Sequence, residues 1–346
     1  EVADDSDFIG HNDFDHTDLW LKQTPWGSRV GATIEDHDSR MIKRFLTLRF
    51  RFEPSVEKIF EALQLLAKDN CFHPVREYLS GLEWDGTSRV SEWLKTYLGA
   101  VGPKEYVCAV GRKTLVAMVK RIYEPGCKFD HVLILEGEQG VGKSTTARLL
   151  SEPWFSASMI NISDKDAVVN MQGVWVYELG ELSAMSRSEV NNVKEFITRQ
   201  TDKIRPPYGR CSVQYPRQCV FIGTTNNDEY LKDQTGNRRF WPVKIGRLKR
   251  AALIRDRDQL LAEAIEYYNF GEELWLDDYE VEKMASNEQG KRLETDAIDE
   301  TLSDFFEDAP EFDSNNFRVI DVLSHANLAG LKNDRQTQMR VCAGLK

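Results

Sequence analysis

The sequence predicts an α/β fold that is preceded by a helical domain and followed by a small C-terminal segment. Strand-like apolar runs occur at residues 131–136, 173–178 and 218–224, with helical or irregular segments between them. This alternation of strands with helical segments is typical of an α/β core. In front of it, residues 55–68, 89–98 and 105–123 are predicted to be helices, and residues 251–268 behind it are predicted to be another.

The first predicted strand runs directly into a glycine-rich loop with the pattern GxxxxGK[ST]. Backbone N–H groups of such a loop can surround a β-phosphate, a lysine reaches the β and γ oxygens, and the Ser hydroxyl ligates Mg²⁺ at a helix N-terminus. A plain glycine turn is the weaker alternative, since a strand precedes and a helical run follows. The expected ligands are therefore ATP, or GTP, and Mg²⁺. The predicted binding residues are Gly137, Glu138, Gln139, Gly140, Val141, Gly142, Lys143, Ser144 and Thr145.

The second predicted strand ends in an acid, Glu178, which stands 35 residues after Lys143. An acid in that position can hold Mg²⁺ through water, and a second carboxylate nearby can deprotonate the attacking water. Glu181 follows three residues later, and the two roles can be exchanged between these glutamates. Alternatively, either is an ordinary surface acid after a strand.

Two further features are candidates for contact with a γ-phosphate. Asn226 follows the third predicted strand, and its amide can bond both the phosphate and the attacking water, although Asn-Asn is also a plain turn signal. Arg238 and Arg239 precede Phe-Trp-Pro and are similar to an arginine finger. A finger that acts in trans predicts an ATP site between subunits; an Arg pair stacked on aromatic rings is the alternative.

The chain has a formal net charge of −11, but residues 184–250 carry a net charge of +8 and residues 251–315 one of −15. The basic block is either a phosphate-tracking surface or a solvated basic face. Within it, basic residues and one tyrosine are interleaved on a predicted hairpin or loop, a pattern that can grip single-stranded DNA. The alternative is that this segment faces a neighbouring subunit or the bound nucleotide. The candidates for DNA contact are Lys194, Arg199, Lys203, Arg205, Tyr208 and Arg210.

Composition excludes several classes of protein. The six cysteines form no CxxC pair, which argues against a zinc site or a disulfide framework and favours a cytoplasmic protein. No apolar run is long enough to span a membrane. The expected divisions are an acidic N-terminal arm and connector (1–50), of which residues 1–21 are mobile or loosely docked, a helical domain (51–125), the nucleotide-binding core (126–250), a helical acidic segment (251–300) and a C-terminal module, either helical or a truncated winged helix (301–346).

Four segments, EGEQGVGKST, VYELGEL, KEFITRQTDKIRPPYGR and GTTNNDEYLKDQTGNRRFWPV, together resemble the virulence-associated E family of phage, prophage and genomic-island proteins. The resemblance covers roughly residues 70–250. It implies a P-loop NTPase core of the AAA+ class, similar to superfamily 3 helicases. By this resemblance Lys143 and Ser144 bind ATP and Mg²⁺, Glu178 and Glu181 are the Walker B acids, Asn226 is the sensor, and Arg238 or Arg239 is the finger.

The motifs and the resemblance together predict a DNA-stimulated ATPase. They predict a replicative helicase that forms a hexameric ring and works with a primase or other replication proteins. The Walker B acids here are separated by two residues, whereas typical AAA+ ATPases have adjacent acids. The alternative from another class is an ATP-dependent regulatory or DNA-binding switch that turns over little ATP.

Overall fold

The computed structural model describes residues 8–157, 166–180, 187–204, 212–231 and 236–293. The strands within these ranges are β1 (Ile9–Asn12), β2 (Thr17–Trp20), β3 (Cys71–Phe72), β4 (Val132–Glu136), β5 (Phe155–Ser156), β6 (Val176–Leu179), β7 (Thr201–Ile204), β8 (Val213–Pro216), β9 (Val220–Thr225) and β10 (Phe240–Lys244). The helices are α1 (Asp36–Phe50), α2 (Val56–Asp69), α3 (Pro74–Ser80), α4 (Trp93–Leu98), α5 (Lys104–Tyr123), α6 (Lys143–Ser151), α7 (Asp166–Val169), α8 (Arg187–Thr198), α9 (Arg250–Asn269) and α10 (Tyr279–Gly290).

A five-stranded parallel sheet in the order β10-β4-β9-β6-β5 forms the centre of the molecule. Every residue of β4 is buried, as expected for a strand covered on both faces by helices. The sheet confirms the predicted α/β class and the strands predicted at 131–136 and 218–224. The strand predicted at 173–178 begins only at Val176, because Gly173 occupies a turn with φ +73°.

The edge strand β10 is missing from the sequence prediction because it contains Pro242, which has no N–H to donate. An edge position tolerates this residue, since only one side of β10 pairs, with β4. Contacts from outside the sheet satisfy its carbonyl groups: Tyr106 Oη donates to Pro242 O at 3.0 Å and Gln289 Nε2 to Phe240 O at 2.9 Å. The backbone of Val101 forms a bridge with Lys244.

Helix α5 connects the front of the chain to the sheet. It is largely buried, and its residues share one hydrophobic core with β4, β9 and α9. Trp175, fully buried beside it, donates from Nε1 to Met118 O at 2.8 Å. The helices predicted at 55–68, 105–123 and 251–268 are confirmed as α2, α5 and α9. The helix predicted at 89–98 is a 3₁₀ turn, Val90–Glu92, followed by α4.

Residues 8–20, predicted as part of a mobile or loosely docked arm, are packed against the rest of the chain. There β1 and β2 form an antiparallel hairpin, and β3 extends it through a parallel pairing with β1. Ile9 and Trp20 are buried against Ile59 and Leu63 of α2, and this apolar contact outweighs the acidic composition that favoured a mobile arm. Helix α1, which the sequence analysis does not predict, packs on α2.

Some predictions fall outside the described residues: the C-terminal module 301–346 and the site candidates Glu181, Arg205, Tyr208 and Arg210. None of the helices in the described ranges has an apolar stretch long enough to cross a membrane.

Candidate functional site

The glycine-rich loop lies at the carboxyl edge of the sheet, where β4 ends and α6 begins. Gly142 caps α6 with φ +107°, and a Cβ at this position would lie 2.6 Å from Cβ of Leu248. Leu248 N in turn donates to Val141 O at 2.9 Å. Only glycine fits this tight turn between the strand and the helix, which aims the first N–H groups of α6 at the loop.

Lys143 extends back over the loop that it follows. Its ammonium donates to Gly137 O at 2.7 Å, to Glu138 O at 2.8 Å and to Asn226 Oδ1 at 2.7 Å. Burial lowers the pKa of Lys143, and the nearby Glu178 carboxylate partly offsets that effect. The structure therefore brings Lys143 and Asn226 together, as the sequence predicts for a lysine and a sensor at one phosphate.

Glu178 lies on β6, and its carboxylate is buried beside the start of α6. Oε1 accepts from Ser144 Oγ at 2.6 Å and from Thr224 Oγ1 at 2.8 Å. A hydroxyl and a carboxylate side by side are oxygen donors of the kind that Mg²⁺ prefers, with its other ligands from water and phosphate. Ser144 and Glu178 thus fit a Mg²⁺ ion, and the loop with Lys143 fits the phosphates of a nucleotide.

Thr224 is a site residue that the sequence analysis does not single out. It is on β9, the strand between β4 and β6, one residue before the strand ends. Its hydroxyl donates to the same carboxylate oxygen of Glu178 as the Ser144 hydroxyl does. The sequence signal that could have identified Thr224 is a hydroxyl residue near the end of an apolar strand. In the sheet, that strand is next to the one that carries the predicted acid.

A buried charge network lies directly beneath the loop. Glu136, the last residue of β4, is 1% exposed and accepts from Arg292 Nη2 at 2.8 Å and from Tyr230 Oη at 2.7 Å. Arg292 also pairs with Glu288 of α10. The network fastens the end of α10 to the base of the glycine-rich loop. The sequence shows that an acid ends this strand. No sequence pattern predicts that Arg292 is its partner.

Arg238 and Arg239 lie at the opposite edge of the same sheet, at the amino end of β10. Phe240 pairs with Val132, the first residue of β4, so these arginines are about 20 Å from the level of Gly137, at about 3.3 Å per residue. Arg238 is exposed, while Arg239 Nε donates to Thr198 Oγ1 at 3.0 Å. Neither side chain reaches the loop of its own chain.

The predicted hairpin is formed by β7 and β8, which pair antiparallel from Thr201 with Pro216 to Ile204 with Val213. Its base is held by Arg217, which donates to the buried Asp202 carboxylate at 2.5 and 2.8 Å and also to Phe196 O. The guanidinium lies over the Phe196 ring, 4.3 Å from its centroid. Since Arg217 stands just before β9, the hairpin belongs to the amino edge of the sheet.

The described candidates for DNA contact differ in exposure. Lys203 is exposed on β7 and Arg199 is exposed at the end of α8, where it pairs with Glu195 at 3.0 Å. Lys194, in contrast, is buried at 5% exposure, with its side chain against Gly236. The structure thus separates Lys194 from the surface on which Arg199 and Lys203 lie.

No curated protein matches the sequence. Among solved structures, the chain is similar to the apo form of the NrS-1 C-terminal region (305–718), with 15% identity, a TM-score of 0.39, and coverage of 93% of this chain and 83% of that one. It is also similar to the A form of the apo NrS-1 C-terminal region, with 13% identity and a TM-score of 0.41. That match covers 97% of this chain and 83% of the other. The model of the virulence-associated protein E-like domain matches residues 79–294, which is more than half of the chain. The chain therefore belongs to the virulence-associated protein E-like family.

Proposed function

We propose that this protein is a DNA-stimulated ATPase of phage or mobile-element replication, with a P-loop core that binds ATP and Mg²⁺. One observation carries the proposal: Lys143, Ser144, Glu178 and Asn226 come from three separate segments and meet at one glycine loop at the carboxyl edge of a parallel sheet. Ligands of open α/β sheets bind at that edge.

In the proposed mechanism, each of these side chains has a distinct task. The Lys143 ammonium neutralises charge on the β and γ phosphate oxygens. Ser144 and Glu178 would hold a Mg²⁺ ion, which would withdraw negative charge from the phosphates. Asn226 orients the attacking water by a hydrogen bond. Glu178 or Glu181 takes the proton from that water.

The last part of the proposed mechanism is the role of Arg238 and Arg239 at the amino edge of the sheet. Charge that develops on the γ-phosphoryl group is stabilised in many such ATPases by an arginine from a neighbouring subunit. Arg238 and Arg239 are too far from their own loop for this task, but a second copy of the chain can present them to it. We therefore propose an oligomer, a ring of about six subunits by the family resemblance, that hydrolyses ATP between subunits and moves on single-stranded DNA as a helicase.

A second candidate function follows from the same separation of the two edges. A single chain holds the phosphate-loop half of the site without the arginines, so a protein that does not assemble would bind ATP and hydrolyse it slowly. Such a protein is an ATP-dependent switch that regulates a DNA or protein partner, including a primase or other replication protein.

ATP hydrolysis by the purified protein, with and without oligo(dT), tests the proposal. We expect oligo(dT) to stimulate hydrolysis, and Lys143→Ala to reduce the stimulated rate by at least about 100-fold, as for loss of a group that stabilises transition-state charge. Lys128→Ala is the matched control, because Lys128 is exposed and precedes β4 at the other end of that strand. A negligible rate in the wild-type protein, despite measured ATP binding, would favour the switch.

A further inference from the structure

Helix α1 and the two residues that follow it carry a dense basic run outside the domain matched by the family model. Residues 40–52 contain five Lys and Arg and no Asp or Glu, in a chain whose formal net charge is −11. Lys43 pairs with Glu53 at 3.2 Å. The other four, Arg40, Arg44, Arg49 and Arg51, are exposed and form no ion pair with any residue that the structure describes. This region therefore presents uncompensated positive charge.

Phenylalanine side chains are exposed among these arginines. Phe45 is 40% exposed, Phe50 64% and Phe52 59%. Phe45 and Phe50 contact each other edge to face, with ring centroids 6.2 Å apart, and Phe45 also approaches Trp26 at 6.3 Å. Ile42 packs against the hydrophobic core beneath α1, whereas these three phenylalanine rings are not part of that core. A group of three exposed phenylalanine side chains indicates a binding surface and not a face that only contacts water.

The start of α1 is held firmly, so these side chains project from a fixed helix. The Asp38 carboxylate accepts from Trp26 Nε1 at 3.0 Å, from Ser28 Oγ at 2.8 Å and from Glu35 N at 2.9 Å. Burial opposes ionisation of Asp38, but these hydrogen bonds prevail and lower its pKa. Trp26 is thereby tied to both the helix start and the aromatic cluster, which pre-organises the surface.

We propose that this surface, made of Arg40, Arg44, Phe45, Arg49, Phe50, Arg51 and Phe52, binds single-stranded nucleic acid. The arginines contact phosphates, and the phenylalanine rings stack on unpaired bases; this combination of cations and aromatic rings is typical of sequence-tolerant single-strand binding. The inference goes beyond the proposed function, because the surface lies outside residues 79–294 and needs neither ATP nor the β7–β8 hairpin.

Binding of fluorescein-labelled oligo(dT), measured by anisotropy over a range of salt concentrations, tests this proposal. The full chain carries Lys143→Ala and no nucleotide is added, so the result does not depend on ATP hydrolysis. We expect the triple substitution Arg40→Gln, Arg44→Gln and Arg49→Gln to flatten the slope of log K against log salt by about 2, since each single-strand phosphate contact contributes about 0.7. Lys95→Gln, Lys128→Gln and Lys283→Gln together remove the same charge from exposed positions elsewhere and should leave the slope nearly unchanged.

A second pair of variants separates stacking from charge. Phe50→Ala with Phe52→Ala should weaken oligo(dT) binding by about tenfold or more with an unchanged salt slope, since loss of a stacking ring affects bases and not phosphates. Leu65→Ala with Phe270→Ala is the control, because it removes two exposed apolar side chains from other helical regions. A blunt duplex of equal charge should bind at least about tenfold more weakly, because its bases are not free to stack on the rings.

Three outcomes would overturn the proposal. One is unchanged oligo(dT) binding in both α1 variants; if Lys203→Gln then abolishes binding, single-stranded DNA binds at the hairpin alone and the proposed ATPase still stands. Another is equal affinity for duplex and single strand. The third is tighter binding of a poly-glutamate peptide than of oligo(dT) to the α1 surface. That result would assign the surface to an acidic protein segment. Residues 294–313 are such a segment, with nine acidic and no basic residues.

Discussion

The two edges of the central sheet are built differently. At the carboxyl edge, polar groups converge: Lys143, Ser144, Glu178 and Asn226 are joined by hydrogen bonds of 2.6–2.7 Å. At the amino edge, Arg238 is exposed, and the glycine-rich loop of the same chain lies at the other edge. The carboxyl edge thus gathers the side chains of the proposed nucleotide site, and the amino edge carries the arginines of the proposed finger.

This difference has a physical origin in the parallel sheet. All five strands point the same way, so the loops after them meet at one edge and the residues that precede them meet at the other. The residues just before and just after a strand of five residues are about 20 Å apart, at about 3.3 Å per residue. One chain cannot bring both edges to one phosphate, but two chains in head-to-tail contact can.

The largest expected effect comes from the amino edge. Arg238→Ala with Arg239→Ala should reduce DNA-stimulated hydrolysis by roughly 10³-fold or more, as expected for an arginine finger, while nucleotide affinity changes little. Mixing this double variant with Lys143→Ala should restore part of the activity, because one mixed interface then carries both an intact loop and intact arginines.

Two results would contradict the shared site. One is loss of nucleotide binding in the arginine variant; the other is the absence of any rescue on mixing, although mixed oligomers form. Thr198→Val is the control for Arg239, since it removes the 3.0 Å hydrogen bond to Nε and leaves the guanidinium in place. It should retain most of the wild-type turnover.

The second effect concerns stability at the amino edge. Arg217→Met should lower the free energy of unfolding by about 3–5 kcal/mol, because it leaves the buried Asp202 carboxylate without its partner. Arg217→Met combined with Asp202→Leu should recover much of that loss, since it buries no charge. Urea denaturation gives the free energies. A single variant as stable as the wild type would mean that this ion pair does not hold the hairpin base.

The third and smallest effect is at the carboxyl edge. Glu178→Gln should lower the hydrolysis rate by about 100-fold while ATP still binds, because the amide keeps the shape but loses the charge and the basicity. Glu152→Gln is the control, because Glu152 is exposed at the far end of α6. Single-turnover hydrolysis and fluorescent nucleotide binding measure the two quantities. Normal turnover in Glu178→Gln would leave Glu181 as the acid that acts on water.

Much of the site could be predicted because its residues are adjacent in sequence to strong local patterns. The glycines and Lys143 form one short motif, Glu178 ends an apolar strand, and Asn226 follows another. Thr224 was missed because a threonine inside a β strand is ordinary. Arg292 was missed because its partner Glu136 is 156 residues away, and no local pattern links them.

The N-terminal region shows the opposite case. Its acidic composition predicts an arm with little burial, yet Ile9 and Trp20 fill a core with α2. The contacts form between residues about 40 to 60 positions apart, so the composition of the segment by itself does not report them. The same holds for Lys194, whose position in a basic run predicts exposure but whose side chain is buried.

The sequence by itself determined the α/β core, the glycine-rich loop and the order of the acid, the amide and the arginines along the chain, because periodicity and short motifs are local properties. Only the tertiary structure decided which of these groups meet. It placed Lys143 beside Asn226, buried Lys194, added β10 as an edge strand and put Arg238 and Arg239 at the far edge of the sheet. Strand order and register decide those distances, and they depend on packing between segments far apart in the chain.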